Sequence, residues 1–125
     1  MEVDADLRAR REAVVREHME SENRHDFAAT MATFAHPRYE LMATGKVYDG
    51  EDEVNEYFRS SRAAVPDQRN ELVSMRSTDD AVIVELDLLG TPVKTGTPFR
   101  QRICAFFVFE DGGDGIVCER VYFSR

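Results

Sequence analysis

Several features are scarce in this chain of 125 residues, and each scarcity excludes a class of protein. Two cysteines are too few for a disulfide framework, so we expect a reduced, cytoplasmic protein. No apolar run approaches the roughly 20 residues that a transmembrane helix needs. Lysine and arginine number 16 against 24 aspartates and glutamates, which gives a net charge of −8. That charge disfavours nucleic acid and anionic membrane surfaces as partners.

The remaining composition is that of one globular domain. Hydrophobic residues make up 42% and charged residues 32% of the chain, which excludes disorder as a description of the whole. A chain of this length can bury roughly two-thirds of its unfolded surface. Because no repeat and no linker rich in Pro, Gly or Ser interrupts the chain, we expect a single domain over residues 1–125.

The first half of the chain has helical periodicity and the second half alternates as strands do. Cap residues precede the helical stretches, and turn residues separate stretches rich in Val, Ile and Phe. The predicted elements are a first helix capped by Asp4 or Asp6, a second helix over 27 to about 34, a hairpin of 39–42 and 46–48, a third helix over about 51–64, and strands 70–77, 81–90, 99–109 and 116–123. Helices followed by a strand meander indicate an α+β fold.

The same periodicities assign faces to the predicted elements. On the first helix Val15, His18 and Met19 lie on the inner side, and Arg11 falls among the polar positions of the solvent face. On the third helix the inner side carries Val54, Tyr57, Phe58 and Arg62. Positions 105–109 of the sheet are apolar without a break, so both faces of that strand are apolar. If the helices cover one face, a second copy must cover the other, and we predict a homodimer through the outer sheet face.

A series of short motifs along the chain resembles a known superfamily. The motifs are His18…Glu22…Asp26, His36-Pro37-Arg38-Tyr39-Glu40-Leu41, Thr44-Gly45-Lys46-Val47-Tyr48-Asp49-Gly50, Pro66-Asp67-Gln68-Arg69, Leu89-Gly90-Thr91 and Glu119-Arg120-Val121-Tyr122-Phe123. With them the chain resembles the nuclear transport factor 2-like superfamily and, within it, the SnoaL-like polyketide cyclase (ester cyclase) branch. The resemblance covers almost the whole chain. It implies a cone in which three N-terminal helices close the concave face of a bent, mostly antiparallel sheet around an apolar cavity.

The chain departs from the catalytic pattern of that branch. The resemblance implies a His–Asp pair near the ends of the last two strands, which acts as general acid and base in an aldol closure. The matching positions here lie near Ala105 and Val121, and neither side chain can transfer a proton. Relatives often place Asp directly after the Tyr-Phe of the last strand, where this chain has Ser124. The resemblance therefore predicts the fold more firmly than it predicts aldol-cyclase activity.

His18 and Glu119 are the candidate catalytic residues. An imidazole titrates near neutral pH and can serve as a general base; alternatively, His18 is a hydrogen-bonded histidine of the helix–sheet interface. Glu119 lies in an otherwise apolar strand, and desolvation would raise its pKa if it faced the interior. It could equally form a cross-strand ion pair with Arg100 or Arg102. Strand parity alone leaves both orientations of Glu119 open.

Four further side chains are candidates for ligand contact. Tyr39, Tyr57 and Tyr122 each offer an apolar ring with a hydroxyl for an oxygenated ligand, and the alternative for each is a place in the core or the dimer interface. His36 precedes a proline at the expected mouth of the cone, where it contacts ligand or simply ends the helix. The histidines show neither HxH nor HExxH spacing, so we predict no metal and no cofactor.

Two hypotheses for function follow from these residues. The first is a small-molecule enzyme of the cyclase or isomerase kind, which uses acid/base catalysis on a hydrophobic, oxygenated substrate. The second is a ligand-binding or structural dimer that keeps the cone without the chemistry. The two differ in whether polar side chains converge inside the cavity or the cavity is wholly apolar.

Overall fold

The computed structural model of the protein describes residues 3–123. These residues form helices α1 (Ala5–Asn23), α2 (Phe27–Ala32) and α3 (Glu51–Ala64) and strands β1 (Arg38–Leu41), β2 (Lys46–Asp49), β3 (Arg69–Ser77), β4 (Ala81–Gly90), β5 (Phe99–Phe109) and β6 (Ile116–Tyr122). The strands make one sheet in the order β2-β1-β6-β5-β4-β3. Only the β1–β6 pair of this sheet is parallel, and the other neighbours are antiparallel. The predicted α+β fold, helices on a curved and mostly antiparallel sheet, is confirmed.

The two N-terminal helices begin at the aspartates that the sequence indicates. Asp4 accepts a hydrogen bond from the Leu7 amide at 2.7 Å, and Asp26 accepts one from the Ala29 amide at 3.2 Å; each satisfies an amide that the helix itself leaves free. The second helix ends at Ala32, two residues before the predicted end. It ends early because the following backbone leaves the helix to pair with β6, in a bridge between residues 34 and 116.

The main core lies between α1 and the inner face of the sheet. Val15 and Met19 of α1 pack in one cluster with inner residues of β4, β5 and β6, among them Val84 and Phe107. The register shifts by one residue at Val73 of β3 and at Val117 of β6, and such bulges increase the twist and bend of the sheet. A second cluster places α3 against β1 through Val54, Phe58 and Tyr39.

Arg11 corrects the predicted solvent face of α1, because its side chain is buried with 2% exposure. Its Nε donates to the Gly113 carbonyl at 2.7 Å, Nη1 to the Asp79 carbonyl at 3.0 Å and Nη2 to the Glu110 carbonyl at 2.9 Å. The turns at this end of the sheet close over α1, and their carbonyl groups need donors. A guanidinium has five N–H groups in a planar fork and can serve all three carbonyls.

The sheet face turned away from the helices carries the alternate residues of β5. Ala105 and Phe107 belong to the core cluster, so Cys104, Phe106 and Val108 point to the opposite face. Both cysteines of the chain are free thiols. Within residues 3–123 no helix combines the length and the apolar character needed to cross a bilayer.

Candidate functional site

A cavity of about 190 Å³ lies between the helices and the sheet. Its apolar wall comes from the helix α1, the inner face of the sheet and the end of β6: Met19, Leu41, Leu86, Leu88, Ile103, Phe107, Val121 and Phe123. Its polar lining consists of Glu22, Tyr39, Tyr57, Arg62, Gln68, Arg69, Asn70, Gln101 and Glu119. The space therefore combines an apolar wall with converging polar groups, as small-molecule sites do.

His18 lies behind the cavity wall and has no exposed surface. Its ring is held edge-on between Phe34 and Phe107, with centroid distances of 5.2 and 5.1 Å. Its Nε2 atom is 2.9 Å from Oε1 of Glu119 and 3.0 Å from the hydroxyl of Tyr39. Helix α1 and strands β1 and β6 thus bring three polar groups to one point.

The hydrogen bonds around Thr33 assign the protons of the imidazole. The Thr33 hydroxyl lies 2.6 Å from the Thr30 carbonyl, and a carbonyl only accepts, so the hydroxyl proton is used there. The same hydroxyl is 2.8 Å from Nδ1 of His18, and Nδ1–H must therefore be the donor. This leaves Nε2 to face Glu119, with a single proton shared between that nitrogen and the carboxylate oxygen.

Glu22 and Arg62 complete the cluster. Glu22 follows His18 by one helical turn, with Oε1 3.7 Å from Nε2 of His18. Its Oε2 accepts the hydrogen bond that the Tyr39 hydroxyl donates at 3.1 Å and lies 3.8 Å from Nη2 of Arg62 on α3. Two carboxylates are thus balanced by one permanent cation and one titratable imidazole.

Burial and neighbouring charges shift the pKa values of this cluster. Burial by itself lowers the pKa of His18, but the carboxylates of Glu22 and Glu119 more than reverse this, and the pKa of the imidazole is raised. Burial raises the pKa of the Glu22 carboxyl, against the opposing effect of His18. Burial and the two carboxylates hold the pKa of Tyr39 well above its usual value. Tyr39 therefore stays a neutral hydroxyl, and His18 and Glu22 are groups that can exchange protons.

The structure brings four of the six predicted site residues together. Glu119 faces the interior, which resolves the question that strand parity left open. Its alternative partners Arg100 and Arg102 bind Asp87, each at 2.6 Å. Tyr39 lies beside His18, and the ring of Tyr57 packs 4.8 Å from that of Tyr39.

Two predicted ligand contacts, His36 and Tyr122, lie outside the cavity. Nε2 of His36 is 2.8 Å from Oδ1 of Asp49 in a half-exposed pair. Tyr122 is 42% exposed and packs against Phe106, with ring centroids 5.5 Å apart. The alternation of β6 explains this placement, because Val121 lines the cavity and its neighbour must point outward. The structure therefore gives neither residue access to this cavity.

Sequence reasoning did not assign Glu22 or Arg62 a functional role. The signal for Glu22 is its spacing of four residues from His18, which puts both on one helix face. Arg62 follows Tyr57 and Phe58 at spacings of five and four residues, and those side chains face inward. A charged residue on an inward helix face indicates a polar partner inside the fold.

The resemblance implies a His–Asp pair near Ala105 and Val121, and the structure shows that these two apolar residues are adjacent. Ala105 of β5 pairs directly with Val121 of β6, and Val121 lines the cavity. Glu119 lies one inward-facing position earlier on β6, opposite Phe107. Ser124 lies outside the described residues. In this chain the carboxylate beside the cavity thus comes from position 119 of β6, and the imidazole that contacts it comes from α1.

His18, Glu22 and Glu119 also offer ligand atoms that all lie within 4.8 Å of one another. One imidazole and two carboxylates are a donor set that divalent transition metals accept. The same atoms already satisfy one another, since Nε2 bonds to Glu119 at 2.9 Å and Tyr39 donates to Glu22. The prediction that the protein uses no metal remains a prediction.

Comparisons with known proteins agree with the family that the motifs resemble. The family model of the SnoaL-like domain matches residues 15–116. The chain is similar in structure to an NTF2-like protein from Burkholderia thailandensis E264, with 26% identity, a TM-score of 0.78 and coverage of 90% of this chain and 88% of that one. It is also similar to SalBIII, an epoxide hydrolase/cyclase-like enzyme of pyran ring formation in the polyether salinomycin, with 22% identity, a TM-score of 0.80 and coverage of 94% and 92%.

A third similar structure is a protein with a ketosteroid isomerase-like fold from Catenulispora acidiphila DSM 44928. It has 18% identity and a TM-score of 0.80, and the match covers 89% of this chain and 85% of that one. Among curated proteins none matches the chain significantly. At these identities the structural likeness shows the fold, and the chemistry has to be argued from the site.

Proposed function

The chain belongs to the SnoaL-like domain family, and on that premise we propose that it is a cofactor-independent enzyme that moves protons on a small, oxygenated substrate, as cyclases and isomerases do. The observation that carries the proposal is the buried network of His18, Glu119, Glu22 and Tyr39 at the wall of an apolar cavity. Acid and base groups with perturbed pKa values that converge on a cleft are typical of active sites.

The geometry supports different roles for the two carboxylates. Glu119 lines the cavity and His18 has no exposed surface, so Glu119 is the group that touches substrate and His18 acts through it. Paired with the protonated imidazole, the Glu119 carboxylate is the general base. Glu22 also lines the cavity, and because burial raises its pKa it can hold a proton to donate. A carboxylate paired with an imidazole and a neighbouring carboxyl group that holds a proton can act together as general base and general acid.

The size of the cavity limits the substrate to a small molecule. A cavity of about 150 Å³ lined by aliphatic and aromatic side chains accommodates benzene. The 190 Å³ here therefore suits a single ring with a few substituents. Apolar residues such as Leu86, Leu88 and Ile103 would contact the ring, and the polar side would contact its oxygens.

Proton transfer can be tested without knowing the natural substrate. We would incubate the protein with a panel of small cyclic ketones in D2O and follow deuterium incorporation at the α-carbons by NMR. We expect the protein to accelerate exchange for at least one ketone, and Glu119→Gln to slow it by about 100-fold. Glu56→Gln, on the exposed side of α3, is the matched control and should exchange as the unmodified protein does. Equal rates for Glu119→Gln and the unmodified protein would contradict the proposal.

The second candidate is a ligand-binding dimer without catalysis. The apolar pair of Ala105 and Val121 at the family's catalytic positions favours it. Ketones that bind in the cavity, detected by chemical-shift changes of its lining residues, and yet exchange no faster than in buffer would support this candidate over the enzyme. For either candidate we propose the cytoplasm as the compartment, which the free thiols of Cys104 and Cys118 support.

A further inference from the structure

Arg62 is a charged cavity residue whose hydrogen-bonding capacity is largely unused. Its side chain is 10% exposed and lines the cavity. Nη1 donates to Oγ of Ser61 at 2.9 Å, whereas Nε is buried and has no hydrogen-bond partner within residues 3–123. Nη2 lies 3.8 Å from Oε2 of Glu22, which is beyond hydrogen-bonding distance. A guanidinium has five N–H donors, so several of them have no acceptor here.

The neighbouring polar groups of the buried network all have hydrogen-bond partners. His18 uses both ring nitrogens, Tyr39 donates to Glu22, and Glu119 bonds to His18. Leaving a buried charged donor unsatisfied is unfavourable by more than the loss of an ordinary hydrogen bond. The face of Phe27, 5.1 Å from the guanidinium carbon, stabilises the charge without accepting its N–H groups. Nε itself is covered by protein, so an acceptor that enters with the ligand would reach the guanidinium through its terminal Nη1 and Nη2 groups.

We infer that Arg62 is the subsite for an anionic oxygen of the ligand, a carboxylate or an enolate, held in the same cavity as Glu119. The inference rests on the proposed function and adds the substrate class to it: a monocyclic compound with an acceptor oxygen at one end. Arginine suits this role because its planar fork binds anionic oxygens with two parallel bonds. Glu22, with its raised pKa, can take up a proton as the anion enters, which removes the repulsion between the two.

Binding measurements with matched probes test the subsite independently of catalysis. Benzoate and benzamide differ in charge but have almost the same shape. A second pair consists of cyclohexanone and 1,3-cyclohexanedione, which is present as its enolate at neutral pH. We would measure all four by calorimetry or NMR titration. We expect each anion to bind about tenfold or more tightly than its neutral partner, as charge-assisted hydrogen bonds provide. A tighter carboxylate indicates a substrate acid, and a tighter enolate indicates a reaction intermediate; either supports the subsite.

The variants separate the subsite from a general charge effect. Arg62→Met keeps the stem and removes the donors, and we expect the preference for the anions to fall to about one. Arg59→Met, one turn earlier on α3 and exposed, should keep the preference unchanged. Arg62→Lys keeps the charge without the fork and should retain only part of the preference. Glu22→Gln should strengthen binding of the anions because it removes a negative charge beside them.

Several outcomes would overturn the inference. They are equal binding of benzoate and benzamide by the unmodified protein, no binding of any probe, or an undiminished preference in a folded Arg62→Met. Circular dichroism shows whether Arg62→Met is folded. If it is not, two other results together overturn the inference: Arg62→Lys keeps the full preference for the anions, and Glu22→Gln binds the anions no more tightly than the unmodified protein. If deuterium exchange depends on Glu119 but not on Arg62, the anion subsite is rejected and the proposed enzyme activity stands. If the protein prefers the anions but does not accelerate exchange, the subsite stands and the enzyme activity is rejected.

Discussion

The hydroxyl of Thr33 accepts a hydrogen bond from Nδ1 of His18 because its own proton is donated to the Thr30 carbonyl. It thereby favours the tautomer of the imidazole that carries its proton on Nδ1. Valine has the shape of threonine without the acceptor, so Thr33→Val leaves a buried N–H unsatisfied. We expect a loss of about 1–3 kcal/mol in the free energy of unfolding and, at a pH where the His18 ring is neutral, a changed tautomer ratio in its ¹⁵N signals.

The control for this change is Thr95→Val, which removes a hydroxyl from an exposed loop. It should leave both the stability and the His18 signals as they are. If Thr33→Val also leaves the His18 signals unchanged, then the packing of Phe34 and Phe107 around the ring, rather than Thr33, determines the tautomer.

The raised pKa of His18 predicts how stability varies with pH. The groups that face the ring are Glu22, Glu119, Tyr39 and Arg62, and the two carboxylates raise the pKa of His18 above its ordinary value of 6.5. Its contribution to stability is complete below about pH 6.5 and is lost as the pH rises through the pKa of the folded state. Glu22, with a pKa also raised from 4.5, acts in the same direction. We expect the free energy of unfolding to fall as the pH rises above about 4.5 and through the raised pKa values of Glu22 and His18 in the folded protein.

Urea denaturation at a series of pH values measures this dependence. Glu119→Gln removes one of the two carboxylates that raise the pKa, so the fall assigned to His18 should be smaller and should begin at lower pH. A ¹H NMR titration of the His18 ring in the folded protein gives the same comparison directly. A pKa of His18 below its ordinary value in the unmodified protein would contradict the assigned network.

Arg11 connects helix α1 to the turns at one end of the sheet. The three carbonyls that it satisfies belong to the β3–β4 turn and the β5–β6 loop. Arg11→Met keeps an aliphatic stem but removes the guanidinium, which lies over the ring of Phe109 and is the donor to three carbonyls. We expect a loss of about 3 kcal/mol in the free energy of unfolding by urea denaturation. Arg8 is exposed on the same helix, and Arg8→Met should change the free energy of unfolding by less than about 0.5 kcal/mol. Equal effects of the two substitutions would contradict the role given to Arg11.

Arg11 also shows where prediction from the sequence ends. The elements were predictable because their signals are local, such as the cap at Asp26 and the change of period after α3. The partners of Arg11 are up to 102 residues away along the chain, and no local pattern encodes them. The face of Glu119 was undecided for a related reason, since Cys118 on the opposite face of β6 is also buried and the strand lacks a clear polar alternation.

The sheet face turned away from the helices carries an apolar strip. The strip consists of Cys104, Phe106 and Val108 on β5 with Tyr122 beside them on β6. Ion pairs flank it: Asp87 with Arg100 and Arg102 on one side, and Glu40 with Arg38 and Arg120 on the other. An apolar centre with a charged rim is the usual anatomy of a protein–protein interface.

We propose that a second copy of the chain covers this strip in a homodimer, as the unbroken apolar run 105–109 predicts. A two-fold axis at the strip would place Phe106 of both copies near one another, so one substitution acts twice. Light scattering after size-exclusion chromatography should give the mass of a dimer for the unmodified protein. Phe106→Glu should give the mass of a monomer, because a dimer would bury two carboxylates beside one another. Val93→Glu, an exposed residue outside the strip, should remain dimeric. A monomeric mass for the unmodified protein at micromolar concentration would reject the dimer, and a dimer that persists in Phe106→Glu would place the interface on another face.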